Sequence, residues 1–596
     1  MKKVLALTLV AMLLPALFAG CGDSSKPTPT QEPPAATQTP ATSAPTATGS
    51  SETSPPSAAA EPDSPYKFAA GKYEKDERGA ANDFYEYELP LSTTDEVFTF
   101  LTYSFNLSAY PEEGYEIMAL PTADREMTGV NVEYIITPVM TSVESFRVLV
   151  ASDDLPDMCS NAIMNYNGTA EEMVEDGYFV NLYDYLDYMP NFSYMVCNYD
   201  PSDTVLYQTV FYHDDFIPAF YCITQEPVRL AGYCVREDWM QQFGMTASDL
   251  VTWDDLHEAL LLAKTQITSC EYPFILRQNI DLTTGAWFMS HDTLPFIIDG
   301  SAGRNFVIDG KVKISNSNDS DRDFMRIISG FYSENLINPN WLAFSRAADT
   351  NAEINNGETF YAPMHTGDIT NYEASSTQPG TLWRPTSPPL RYEGQILHLG
   401  GQLPRETSST MSISAKCANI PLVVSWIDWR FSPVGGDLWY WGVEGEIFEF
   451  DDKGERVLTD FAINNPAGLT LNYLLLIYAL NHSANVGLIQ ADREFKYPGG
   501  DITFGYALDW TNWLKENHDG AYLYPVGARL TVEQSAEINS YLSDVSTYMN
   551  ENYAQFVDGS KNIETDWDNY INGLNSIGLP EIKAVYQEAY DAFMAG

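Results

Sequence analysis

The chain has 596 residues, too many for one compact core, and its 44% hydrophobic and 13% aromatic content is enough to fill two. Asp and Glu number 82 against 32 Lys and Arg, a formal charge of -50. Such a balance repels phosphate backbones and anionic lipid headgroups, which argues against a nucleic-acid partner and reads as a solvated surface suited to the cell exterior.

The N-terminus reads as an address. Met1-Lys2-Lys3 is a positive start, residues 4–18 are an apolar run, and small residues precede Cys21. Residues 1–20 are therefore expected to be a signal peptide. Leu17-Phe18-Ala19-Gly20-Cys21 resembles the lipobox of bacterial lipoproteins, with Phe18 where an aliphatic residue is usual. That resemblance implies Cys21 as the lipidated, palmitate-bearing N-terminus of the mature chain. No later segment is long and apolar enough to span a bilayer, so the expectation is a protein tethered to the outer face of the cell membrane. Residues 21–65 are rich in Pro, Thr, Ser and Ala and cannot bury enough surface to offset chain entropy. They are expected to be a disordered tether, reaching on the order of 100 Å at full polyproline extension.

Residues 96–103 (EVFTFLTY) and 131–136 (NVEYII) predict the first two buried strands, and 142–151 predict a helix broken by Ala151-Ser152-Asp153-Asp154-Leu155-Pro156-Asp157. Residues 177–190 predict a strand-like entry and a short helix, and 216–221 (FIPAFY) a further apolar strand. Tyr233, Cys234 and Val235 are β-prone; Arg236, Glu237 and Asp238 then open a helix with Trp239, Met240 and Phe243 facing in. Gly244 supplies a left-handed stop. Thr252 is an N-cap, Asp254 and Asp255 complement the helix dipole, and Leu256, Ala259, Leu260 and Ala263 mark one buried face. Residues 306–314 (FVIDGKVKI) predict a hairpin turning at Asp309-Gly310. Asn318 to Asp323 has a superficial calcium-loop look, without the central glycine or terminal glutamate, and reads better as an acidic helix cap. Six cysteines besides Cys21 are scattered, with no C-x-x-C pair, and read mostly as buried free thiols.

The stretch 233–264 resembles the bacterial extracellular solute-binding proteins of family 1, the receptors of carbohydrate-type ABC importers, through Arg236, Asp238, Trp239, Gly244, Trp253, Asp254, Asp255 and Leu256. Looser likenesses follow in matching order: residues 152–157, with Asp153 where the family has glycine; Asn181-Leu182; Asn356-Gly357-Glu358; Trp383-Arg384-Pro385; residues 436–445, with Trp441 in a tyrosine position; and Trp567, Tyr570 and Gly578. The resemblance implies an α/β, two-lobed type II periplasmic-binding-protein fold with an interlobe ligand cleft and hinge crossings. It places one lobe at 85–215 plus 385–434 and the other at 216–384 plus 435–596. It further implies a monomeric receptor that delivers a sugar, an oligosaccharide by preference, to a membrane permease.

No H-E-x-x-H, G-x-S-x-G or P-loop is present, and the 7 His are not paired at metal-ligand spacing, so no catalytic constellation, cofactor or metal is assigned. A neutral sugar needs carboxylates and amides for its hydroxyls and aromatic faces for its C–H surface. The residues falling beside the family's cleft loops are Asp154, Asn161, Asn165, Gln225, Glu226, Trp287, Asp292, His365, Asp368, Trp383, Trp439, Trp441 and Glu444. For each Trp the competing reading is core packing, and for His365 a structural role. Other functional readings are a peptide- or lipid-precursor-binding lipoprotein, a surface carbohydrate-degrading enzyme and a structural wall protein.

Overall fold

The computed structural model describes residues 64–595, except 105–106, 108–109, 278–284, 295–304, 345–346, 470, 480–485 and 497–499. The expected signal peptide, Cys21 and the tether up to residue 63 lie outside the described residues. The strands, in chain order, are β1 (Val97–Ser104), β2 (Asn131–Pro138), β3 (Met158–Ser160), β4 (Phe220–Thr224), β5 (Ala231–Arg236), β6 (Asn305–Ile308), β7 (Lys311–Ile314), β8 (Tyr361–His365), β9 (Trp383–Pro385), β10 (Glu406–Ile413), β11 (Phe448–Phe450), β12 (Arg456–Leu458) and β13 (Leu488–Ile489).

Two sheets organise the chain. The larger has the order β13-β4-β10-β3-β1-β2, and the smaller β8-β5-β9. In the larger sheet β1 runs parallel to β2 and β3, and β13 parallel to β4, while β10 runs against both β3 and β4. The first core gathers on this sheet and contains Phe100, Met158, Phe220, Met411, Trp426 and Trp439. The second core surrounds β5 and contains Tyr233, Trp253, Phe274, Tyr361, Trp510 and Tyr570.

Local chemistry explains the elements. Helix Glu237–Phe243 ends on Gly244 at φ 76, as its lack of a Cβ allows. Thr252 and Asp255 form a reciprocal capping box that starts helix Trp253–Gln266, and Leu256, Ala259, Leu260 and Ala263 are all buried. Asp153 takes the left-handed conformation (φ 58) at the end of helix Ser142–Ser152, which explains how a non-glycine residue serves at that turn. Asp309 and Gly310 both have positive φ, as a tight β6–β7 hairpin requires. Asn318 and Asp321 form the capping box of helix Asp319–Ser333, so the calcium-loop look is a helix cap. Among the described residues no cluster suited to a metal ion is found. Cys159, Cys197, Cys222, Cys234, Cys270 and Cys417 are free and buried.

The chain passes between the cores three times: through residues 225–230 after β4, 400–405 before β10, and from 490 onward after β13. These positions correct the expected lobe limits. Residues 216–224 remain with the first sheet because β4 pairs with β10. Trp383–Pro385, at the expected lobe limit of 384–385, stays in the second half, because β9 pairs with β5 in the second sheet. Leu438, Trp439, Val486 and Leu488 stay with the first core, while Trp441, Phe448, Leu458 and Leu474 form a smaller cluster of their own. A run of buried apolar residues does not reveal which sheet will take it when its partner strand lies far along the chain.

Two consequences are measurable. Gly232 on β5 faces Trp287 and Trp510, and a Cβ there would lie 2.6 Å from both rings. Gly232→Ala is expected to lower stability by about 1–3 kcal/mol, read from the urea midpoint. His291 is buried between the Trp253 and Phe324 rings, and burial holds its imidazole down at about 4. Its folded value lies below the unfolded one, so its contribution is complete above about pH 6.5 and is lost as pH falls through about 4. That loss is roughly 3 kcal/mol. His291→Phe is expected to remove this component, narrowing the gap between urea midpoints at pH 7 and pH 4.5; an unchanged gap would refute the assignment.

Candidate functional site

Parallel strands carry ligands at their carboxyl ends, and β1, β3, β4 and β13 all point those ends at one edge of the larger sheet. Asn161 follows β3 with φ 55. Its Oδ1 accepts the Thr410 backbone N–H at 2.9 Å, and its Nδ2 donates to the Tyr103 hydroxyl at 3.1 Å, joining β1, β3 and β10 at that edge. In the second half β8 ends at His365, opposite Ala231, the first residue after the first crossing. His365 is exposed, and its Nδ1 accepts the Gly367 N–H at 3.3 Å; Asp368 lies in the first turn of the following helix Thr366–Ser375. Buried Arg277 reaches the same end, donating to Thr350 Oγ1 at 3.1 Å and the Pro363 carbonyl at 3.3 Å.

A cavity of about 960 Å³ opens at the crossings and is lined by all three. Gln225 and Glu226 come from the first, Arg405 from the second, and Gln490, Asp492 and Phe495 from the third. Tyr199 and Asp203 of the first half, and Phe504, Asn512 and His518 in and just beyond helix Gly500–Asn517 of the second, complete its walls. Arg405 is 5% exposed. It donates from Nε to the Thr224 carbonyl (3.1 Å) and from Nη2 to the Met195 carbonyl (3.2 Å), and lies 4.8 Å from the Tyr199 ring centroid. Its Nη1 is 3.6 Å from Asp203 Oδ2 and makes no hydrogen bond. Burial lowers the Arg405 guanidinium below its ordinary value. Gln490 is 6% exposed; its Nε2 donates to Asp437 Oδ1 at 3.2 Å, while its buried Oε1 has no partner. Burial also lowers the His518 imidazole, whose Nε2 is unpartnered. The arrangement offers hydrogen-bond acceptors, one buried cationic donor and aromatic faces, which is a binding chemistry.

The structure thus brings Gln225 and Glu226 together in the cavity, with Asn161, His365 and Asp368 at strand ends. The other expected residues are elsewhere. Asp154 is exposed and precedes β3, at the far end of that strand. Asn165 is buried, its carbonyl accepting from Arg147 Nε at 3.2 Å. Asp292 has φ 52 and a buried, unpartnered Oδ1, and burial raises its carboxyl. Glu444 is exposed at a bridge with Phe448. The four tryptophans are core side chains, at most 1% exposed. Trp287 donates to the Tyr361 hydroxyl at 2.8 Å and meets Trp510 edge-on. Trp383 lies by Arg236, Trp439 donates to Asp124 at 3.2 Å under the Arg430 guanidinium, and Trp441 packs on Phe448. Sequence reasoning missed Tyr199, Asp203, Arg405 and Gln490, because it set the second and third crossings at other positions. The available signal was the rarity of cations: Arg405 stands just after Leu403-Pro404 in a chain with few basic residues.

No protein-family model matches the chain. It is 24% identical over 523 residues, covering 83% of this chain and 90% of the relative, to the fructooligosaccharide ABC transporter substrate-binding protein FusA of Streptococcus pneumoniae serotype 4. Among solved structures, the alginate-binding protein AlgQ2 superposes with TM-score 0.63 at 22% identity, covering 84% of this chain and 99% of that one. An HMO-binding, ABC-transporter-associated solute-binding protein from Bifidobacterium longum infantis gives TM-score 0.63 at 16% identity, covering 83% and 99%. Sheet order, triple crossing and these likenesses agree: the chain has the two-lobed α/β type II periplasmic-binding-protein fold, and its resemblance to the extracellular solute-binding proteins of carbohydrate-type ABC importers is borne out.

Proposed function

We propose that this protein is the extracellular receptor of an ABC importer, anchored through a lipid on Cys21, and that it binds an oligosaccharide at the crossings and presents it to a membrane permease. The observation that carries this reading is the cavity of about 960 Å³ walled by all three crossings. It lies at the top of the usual size range for ligand pockets, about 300–1,000 Å³, which favours several sugar units over one. Any rotation of one half on the other changes its walls, so an occupant that touches both halves biases the open–closed equilibrium. Asp203, Glu226, Asp492 and Gln490 accept from hydroxyls, Arg405 donates, and Tyr199, Phe495 and Phe504 cover C–H faces. The name of the relative FusA makes fructooligosaccharides the first ligands to test.

A thermal-shift and calorimetry panel of fructo-, malto-, cello- and milk-type oligosaccharides is expected to contain a ligand that raises the melting point. A ligand at a hundred times its Kd adds about 2.7 kcal/mol of stability. Gln490→Leu is expected to weaken that ligand at least about tenfold, the worth of one hydrogen bond near 1.4 kcal/mol, beyond any lowering of the ligand-free melting point from the lost bond to Asp437. A panel with no shift at all would sink the receptor reading. For the anchor, Cys21→Ser is expected to abolish labelling with a fatty-acid analogue and release the protein from the membrane fraction; persistent labelling would overturn it.

A further inference from the structure

We infer that the crossing cavity selects neutral, hydroxyl-rich glycans and rejects uronate-bearing or sulfated ones; this rests on the proposed reading of the cavity as the sugar site. Four carboxylates line it, Asp200, Asp203, Glu226 and Asp492, against three basic groups, Arg405, Arg456 and Lys515. Two of those three are already matched. Arg405 pairs with Asp203 at 3.6 Å, and Arg456 with Asp437 at 2.6 Å behind the cavity wall. Lys515 is exposed to solvent, where its charge is screened. Burial holds His518 toward its neutral form. An incoming carboxylate therefore finds the buried Arg405 guanidinium already beside Asp203, whose charge it must displace.

Beside the acidic lining, two buried lining side chains each carry one polar atom without a protein partner. Arg405, 5% exposed, leaves Nη1 without a hydrogen bond, and Gln490, 6% exposed, leaves Oε1 without one. Leaving such atoms unpaired costs stability, and a ligand that gained access to them would recover part of it. One is a donor and the other an acceptor. A sugar hydroxyl accepts and donates, so a single ligand class satisfies both. A carboxylate or sulfate group only accepts: it competes with Asp203 for Arg405, leaves Gln490 Oε1 unsatisfied, and faces like charge from Glu226 and Asp492. Selectivity then comes from repulsion as much as from attraction.

The test uses the purified full-length protein and matched ligands: kestose, maltotriose and cellotriose, each with its C6-oxidised uronate form, titrated calorimetrically at 50 mM and 500 mM NaCl. At least one neutral form is expected to bind, with its uronate partner at least tenfold weaker at low salt and the gap narrowing at high salt. In Glu226→Gln/Asp492→Asn the gap between the two charge forms is expected to shrink severalfold, whatever affinity for the neutral sugar is lost with the two carboxylates. A uronate form that binds as tightly as its neutral partner overturns the selectivity and leaves the receptor reading intact. Failure of every sugar in both charge forms overturns the receptor reading and the selectivity with it. A gap unchanged by salt and by the double substitution assigns the discrimination to shape and overturns the electrostatic account.

Discussion

The structure depends on the convergence of three chain crossings at one edge of the larger sheet, and Arg405 is the side chain that binds them to their surroundings. Its guanidinium sits on the second crossing and donates to the Thr224 carbonyl at the start of the first and to the Met195 carbonyl of the packed helix Pro190–Cys197. Removing one partner from a buried, hydrogen-bonded cation is costly because the groups left behind are desolvated and unpaired. The second and first crossings are thereby held in register. Gln490 performs the related task on the third, tied to Asp437, which also holds Arg456.

This use of arginine recurs through the molecule. With 82 acidic and only 32 basic side chains, most acids face water. Several of the few arginines are buried against aromatic faces. Arg236 lies 4.1 Å from the Trp239 ring, and Arg430 lies 3.8 and 3.6 Å from those of Trp426 and Trp439. A guanidinium is weakly hydrated and flat, so an indole face compensates part of its desolvation. Asp124 completes the Arg430 cluster by accepting from both indole N–H groups, and burial raises its carboxyl to about 6. These arginines anchor the two cores and the joint between them.

Much of the fold was legible because its decisive signals are local. The strand, glycine-stopped helix and capped helix of residues 231–266 follow from residues within one or two turns of one another. The β6–β7 hairpin follows from Asp309-Gly310, and the cap at Asn318 from Asp321. The crossings were less legible. β4 belongs to the larger sheet only because β10 pairs with it after an excursion through the second half. The site inherited that uncertainty. Gln225 and Glu226, which line the cavity, were named because they adjoin the expected lobe limit at 215–216, near the first crossing. Arg405 and Gln490 were missed with the other two. Tryptophan misled for a physical reason: its large apolar area suits a sugar face and a core equally, and only burial separates the two.

The division of polar groups around the cavity bears on how occupancy could be sensed. Arg405 and Gln490 are fixed by bonds to Thr224, Met195 and Asp437, all on the first half. Phe504, Asn512 and His518 belong to the second half. A ligand satisfying Arg405 and Gln490 alone would bind open and closed forms equally and shift nothing, however tightly it bound. Closure requires contacts that only the second half can complete. Those groups are an amide, an imidazole whose proton affinity burial lowers, and an aromatic ring, which on the proposed reading suit the far side of a neutral, hydroxyl-bearing chain. On the proposed reading, the wall of the first half would supply recognition, and that of the second half the difference in affinity that converts recognition into a change of shape.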